Sequence, residues 1–303
     1  MGRASSGATV TTAFVFSGGG SLGAAQVGML EALYEHGVVP DYVVGTSIGA
    51  INAAWVAGQP DLDGARALAK IWVDVRRRDV FPSSLLTGIG GLMGQRNHII
   101  ASHALRRLVE RHLVFQNLED AAIPIGVVCA DVNSGIETLL TRGSAIDAVI
   151  ASSAIPGVFP PVMIAGRPHV DGGITNNAPI SHAVQWGATT VYVLATGYSC
   201  AMRKAPNSAL GIVLQALNLL VQRRLGEDIA FYQNRIDLRV VPPLCPISVS
   251  PVDFSHTAEL IERAHQSTQE WLAYRVPRPG DQSLALDVHQ HYDFGGSGAA
   301  ATH

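Results

Sequence analysis

The sequence predicts a three-layer α/β/α fold around a mostly parallel central sheet, on three observations. Strand-like and helix-like segments alternate along nearly the whole 303-residue chain, which is the pattern of βαβ units. Runs such as "TTVYVLAT" are β-branched and apolar at almost every position, as expected of strands covered on both faces. The corners between several strands and the helices that follow are built from glycine and small polar residues.

Element by element, Ala13 to Phe16 reads as a strand, followed by the corner "SGGGSLG" and a helix from Leu22 to His36 stopped by Gly37. "DYVVG" is the next strand, and "IGAINAAWVAG" a helix so apolar all round that it must be buried. In "LDGARALAKIWVDVRRR", Leu68, Ile71, Trp72 and Val75 fall at i, i+3, i+4 and i+7, an amphipathic helix whose outer face ends in Arg76, Arg77 and Arg78. Residues 82–101 are glycine-broken and suit a loop or cap over a site. "SHALRRLVERHL" is a helix, "IPIGVVCADV" and "IETLLTRG" are paired strands, and "SAIDAVIASSA" is a helix. "PVMIAGRPHVDGG" reads as a hairpin ending in a tight turn, after which Asn177 is the expected N-cap of a helix with Pro179 near its start. "SALGIVLQALNLLVQRRLG", "IDLRVV" and "TAELIERAHQSTQEWLAY" complete the core as helix, strand and helix. The expected organisation is a tail over 1–12, one catalytic domain over 13–276 and a frayed extension over 277–303.

Composition excludes several classes. The residues are 48% hydrophobic and 15% charged, a globular balance. A net charge of −3 lacks the basic excess of nucleic-acid-binding modules. Cys129, Cys200 and Cys245 are odd in number, widely spaced and without a C-x-x-C pair, so no disulfide framework is expected and a reducing compartment fits best. The N-terminus lacks a signal-peptide pattern, and the longest apolar stretches fall short of a membrane span. A cytoplasmic location is the expectation. Peripheral membrane contact would involve "LLTGIGGLMG" and "LGIVLQALNLLVQRR", although a helix of that pattern is more often core.

Gly18, Gly20 and Gly23 satisfy G-x-G-x-x-G between a strand and a helix, a dinucleotide fingerprint. That fingerprint also needs an acid at the C-terminal end of the second strand, and Asp41 stands at its beginning. At the correct end lies Gly45-Thr46-Ser47-Ile48-Gly49, which fits G-x-S-x-G, a serine exposed on a sharp strand-to-helix turn. Backbone N–H groups of Gly18, Gly19 and Gly20 at a helix start could then hold the oxyanion formed when Ser47 attacks an ester. None of the eleven histidines occupies the late strand end where a hydrolase triad would place its base. Asp171, before Gly172 and Gly173, is either an ordinary turn residue or the acid of a third strand-to-helix corner.

Taken in order, "SGGGSLG", "GTSIG" and "ASSAIPGVFPPV…HVDGGITNNAP" resemble the patatin-like phospholipases, a family of serine acyl hydrolases. The resemblance implies a Ser-Asp dyad, with Ser47 as nucleophile and Asp171 as base, an oxyanion hole at Gly18, Gly19 and Gly20, supporting roles for Gly23, Gly45, Gly49, Gly172 and Gly173, and no metal or cofactor. The implied substrate is an acyl lipid or phospholipid. An acyltransferase or thioesterase using the same residues, and a catalytically silent lipid-binding relative, remain alternatives. Leu22 stands where the family usually carries a basic residue, which weakens the case for anionic head groups. Whether burial raises the Asp171 pKa or the Gly172 and Gly173 amides lower it is open at this level.

Overall fold

The computed structural model describes residues 10–82, 97–196, 209–245, 247 and 249–274. Residues 83–96 of the expected cap and the whole C-terminal extension over 277–303 lie outside them. Eight strands form one sheet: β1 (Thr12–Phe16), β2 (Tyr42–Thr46), β3 (Ile125–Asp131), β4 (Glu137–Leu140), β5 (Val162–Ile164), β6 (Arg167–Asp171), β7 (Thr190–Leu194) and β8 (Asp237–Val241). The strand order is β5-β6-β3-β2-β1-β7-β8, with β4 also paired to β3. β3, β2, β1, β7 and β8 are mutually parallel, β4 and β6 pair antiparallel to β3, and β5 pairs antiparallel to β6.

Nine helices form among the described residues: α1 (Ala24–Glu35), α2 (Ile48–Gly58), α3 (Leu62–Asp74), α4 (Arg77–Val80), α5 (His103–His112), α6 (Ala145–Ser152), α7 (Ile180–Gln185), α8 (Ala209–Tyr232) and α9 (Thr257–Tyr274). One buried cluster joins Phe14 and Phe16 of β1 to α1, α2 and α9. A second joins Val15 and Val44 to α7 and α8 on the other face. Both faces of the central strands are therefore covered, as their uniform apolarity requires. No described helix is long and apolar enough to cross a membrane.

Three local expectations are corrected. The amphipathic helix ends at Asp74, and Arg77 and Arg78 start the short α4 instead of ending α3. The first turn after β1, Gly20–Gly23, is a 3₁₀ helix, so α1 starts two residues later than the pattern suggested. Asn177 does not cap α7, whose N-cap is Pro179; its side-chain amide donates to the Gly18 carbonyl instead, at 3.3 Å.

Inside the larger cluster lies a polar network. The Gln26 side-chain amide donates to the carbonyls of Ser17 and Leu194, each at 2.8 Å, joining the C-terminal ends of β1 and β7. Asn52 donates to Gln26 Oε1 at 2.8 Å and to the Gly23 carbonyl at 3.0 Å, and accepts from Trp72 Nε1 at 3.0 Å. Gln26 and Asn52 are both fully buried, and a satisfied network at low dielectric fixes one arrangement of the elements it joins. Asn52→Leu would keep the volume but leave Gln26 Oε1 and Trp72 Nε1 unpaired. The expected cost is on the order of 2–4 kcal/mol, read from urea denaturation; a change below ~0.5 kcal/mol would mean that the network is not holding α1, α2 and α3 together.

Candidate active site

The register of β3 explains how distant residues meet. Parallel β2 runs beside β3 until Thr46 pairs with Val128, and there β2 ends. Antiparallel β6 arrives from the opposite direction, and its last residue, Asp171, pairs with the next residue of β3, Cys129. The two strands thus terminate head to head on consecutive β3 positions. Ser47 follows Thr46 directly, and its Oγ donates to Asp171 Oδ2 at 2.6 Å, a length typical of an O–H···O⁻ bond.

Ser47 sits at φ 57° and ψ −127°, a conformation unfavourable for any residue with a Cβ and seen at strained functional turns. The neighbouring glycines make the turn possible. A Cβ on Gly45 would lie 2.4 Å from the Gly49 carbonyl oxygen, and one on Gly49 would lie 2.3 Å from that of Phe16. The strain is held in place by a hydrogen bond from Ser47 N–H to Ser152 Oγ at 2.8 Å; Ser152 Oγ–H in turn donates to the Val128 carbonyl. Asp171 is fixed in the same way: its N–H donates to the Ala154 carbonyl at 2.9 Å, and its Oδ1 accepts from Gly173 N–H at 2.8 Å. The segment Ser152 to Ala154 therefore braces both members of the pair, a role invisible in the sequence because it rests on one hydroxyl and one carbonyl.

Asp171 is 6% exposed. Burial pushes its carboxyl up to about 6, against the opposing pull of the Ser47 hydroxyl and the Gly173 amide. Of the two effects left open by the sequence, desolvation is therefore the larger. No histidine hydrogen-bonds Ser47 or Asp171 among the described residues. His169 is turned to the Arg167 carbonyl, and His182 is paired with Glu137.

The glycine corner lies against Ser47: a Cβ on Gly18 would come 3.0 Å from the Ser47 Cβ. Its three amides are not equivalent. Gly18 N–H is committed to the Asn177 carbonyl at 3.1 Å, so it is not available as an oxyanion donor. Gly19 and Gly20 N–H have no acceptor among the described residues. Gly20, at φ +61°, opens the 3₁₀ turn. Gly23 packs against Ile48, Gly172 against the Val128 carbonyl, and Gly173 near Asn177, so the remaining motif glycines allow close packing around the corners. Asp41, the acid a dinucleotide site would require, accepts from Thr12 N–H at 2.7 Å at the opposite end of the sheet. Leu22 packs against the core as a partly buried residue.

From Ser47 and Gly20 an apolar cleft runs between α2, α3 and α5, with about 900 Å³ of non-atom space, part of it open to solvent. Phe81 stacks on Phe159 at 5.4 Å between ring centroids and Trp72 on Phe254 at 6.2 Å, and all four rings line it. A buried acid hydrogen-bonded to a hydroxyl that lines an apolar cleft can take the hydroxyl proton while the cleft holds an apolar chain beside it.

The family described as Patatin-like phospholipase matches residues 14–184. A mouse protein named Patatin-like phospholipase domain-containing protein 7 is 30% identical over 61% of this chain and 13% of its own length. A Mycobacterium bovis protein named as an uncharacterized NTE family protein is 36% identical over 54% of this chain and 27% of its own. The chain thus corresponds to a small part of these relatives. Among solved structures, VipD from Legionella pneumophila overlays with a TM-score of 0.48 and 15% identity, covering 88% of this chain and 67% of that one. With more than half its length matched, the chain belongs to the patatin-like phospholipase family.

Proposed function

We propose that the protein is a lipid acyl hydrolase that cleaves carboxylic esters through Ser47 and Asp171. The observation that carries this reading is the 2.6 Å hydrogen bond from a strained, half-buried turn serine that lines an apolar cleft to a buried aspartate. Asp171 accepts the Ser47 hydroxyl proton as Oγ attacks the acyl carbonyl carbon. The oxyanion is held by the N–H groups of Gly19 and Gly20 with the positive end of the α1 dipole behind them. Collapse breaks the bond to the alkoxy leaving group, which takes the proton from Asp171, and leaves an acyl ester on Ser47. Water then attacks that ester, giving its proton to Asp171, and the fatty acid departs as the proton returns to Ser47 Oγ.

A pKa of about 6 suits this cycle. An ordinary aspartate, near 3.9, is a weak base, whereas a carboxylate raised toward neutrality accepts a proton more readily and is still ionised at pH 7. An acyltransferase outcome would use the same acyl-enzyme, with an alcohol or thiol replacing water. Peripheral membrane contact is supported by the exposed Val213, Leu219 and Leu220 on α8, and co-sedimentation with vesicles at varied salt tests it.

Ser47→Ala and Asp171→Asn are each expected to lower kcat/KM for p-nitrophenyl butyrate by at least ~10³-fold while leaving the circular dichroism spectrum unchanged. Wild-type activity in either variant would rule out the dyad. In the wild type, kcat/KM should fall below pH about 6 along a single-proton curve as Asp171 is neutralised; a rate that stays level down to pH 4 would contradict that assignment. The same raised pKa affects stability. Burial favours the protonated acid, so its contribution is full below the unfolded value of ~3.9 and is lost as pH rises through about 6. Asp171→Asn should therefore be more stable than wild type at pH 8, by up to ~3 kcal/mol at ~1.4 kcal/mol per pH unit, and the advantage should vanish toward pH 4 in paired denaturation curves.

A further inference from the structure

We propose that the cleft is an acyl-chain gauge that selects chains of about eight to ten carbons, with Trp55 and His112 closing its far end. This deepens the hydrolase reading and rests on it for the placement of the ester carbonyl at Ser47.

The length follows from the helices that wall the cleft. Ser47 is the N-cap of α2, and Ile48, Ile51 and Trp55 line the cleft from that helix. From Ser47 to Trp55 the axial rise is ~12 Å at 1.5 Å per residue. The other walls agree: the lining runs from Leu68 to Val75 along α3 and its C-cap, and from Leu105 to His112 along α5, each two turns or ~10 Å. Trp55 Nε1 donates to the Gly64 carbonyl at 2.8 Å and Trp72 Nε1 to Asn52 Oδ1, so α3 runs antiparallel to α2, with Trp72 nearer Ser47 and the start of α3 beside Trp55. An extended alkyl chain advances ~1.3 Å per carbon, given ~1.5 Å bonds at near-tetrahedral angles. A span of ~12 Å therefore accommodates about nine carbons.

The closure is equally specific. The Trp55 and His112 rings meet at 6.5 Å between centroids, and Val114 and Phe115 pack across Gly58 at the end of α2. The Trp55 indole is tied to α3 by its bond to Gly64, so it cannot swing aside without breaking that contact. Burial holds the His112 imidazole below its usual range, with Arg111 adding to the effect, so the ring facing a terminal methyl at neutral pH is uncharged. A longer chain would have to part this pair or fold back within the cleft. A shorter one would leave apolar wall uncovered, forgoing roughly fourfold in affinity per methylene.

The test separates binding from chemistry. Butyrate, octanoate, decanoate and palmitate are titrated into Ser47→Ala, followed by tryptophan fluorescence, since Trp55 and Trp72 both line the cleft. Affinity should climb by roughly tenfold or more for each added pair of carbons up to decanoate and then level off. His112→Ala should move the plateau to longer chains, and Ile51→Phe, one turn from Ser47, to shorter ones. Continued tightening from decanoate to palmitate, no binding of decanoate, or a plateau unmoved by both variants would overturn the gauge. Hydrolysis of p-nitrophenyl butyrate by the wild type is measured in parallel. Its absence beside the expected binding profile would count against the hydrolase and not against the gauge; its presence without that profile would do the reverse.

Discussion

The site depends on one feature of the sheet: β2 and β6 end against consecutive residues of β3 from opposite directions. That junction brings Ser47 and Asp171, far apart in the chain, within a single hydrogen bond. A one-residue slip of β6 would turn the Asp171 side chain to the other face of the sheet, because side chains alternate along a strand. The antiparallel hairpin at the edge of an otherwise parallel sheet is thus the device that delivers the acid.

The same junction accounts for the electrostatics. Because Asp171 ends a strand inside the sheet, its carboxylate is shielded from water, with Gly173 N–H and Ser47 Oγ as its hydrogen-bond partners. Two donors do not replace full hydration, so its pKa rises. Ser152 and Ala154 complete the arrangement by anchoring the backbone of both partners, which lets the strained Ser47 turn persist.

Much of this was legible in the sequence, and the gaps have a common cause. Periodicity and β-branching located "TTVYVLAT" as a central strand and "IGAINAAWVAG" as a buried helix, since burial leaves a pattern in the chain. Ser47 was legible because a sharp turn demands glycines at fixed offsets. Asp171 was not separable from a turn residue by spacing alone, and needed the resemblance. Partner choice was not legible. Gln26 and Asn52 look like ordinary polar helix residues, yet they form the buried link between β1, β7 and three helices. Gly18 and its two neighbours are identical in sequence, but the Asn177 carbonyl takes only the Gly18 amide. The cleft was hidden for the same reason: amphipathicity tells which face of α3 is apolar, not that α2 and α5 stand opposite it.

Whether Ser47 is an activated nucleophile is decided by reaction with a fluorophosphonate followed by peptide mapping. A single phosphonylated residue, Ser47, is expected, with labelling that fades as pH falls through about 6 while Asp171 takes up its proton. Labelling at another residue, or an unreactive Ser47 in the folded protein at pH 8, would contradict it.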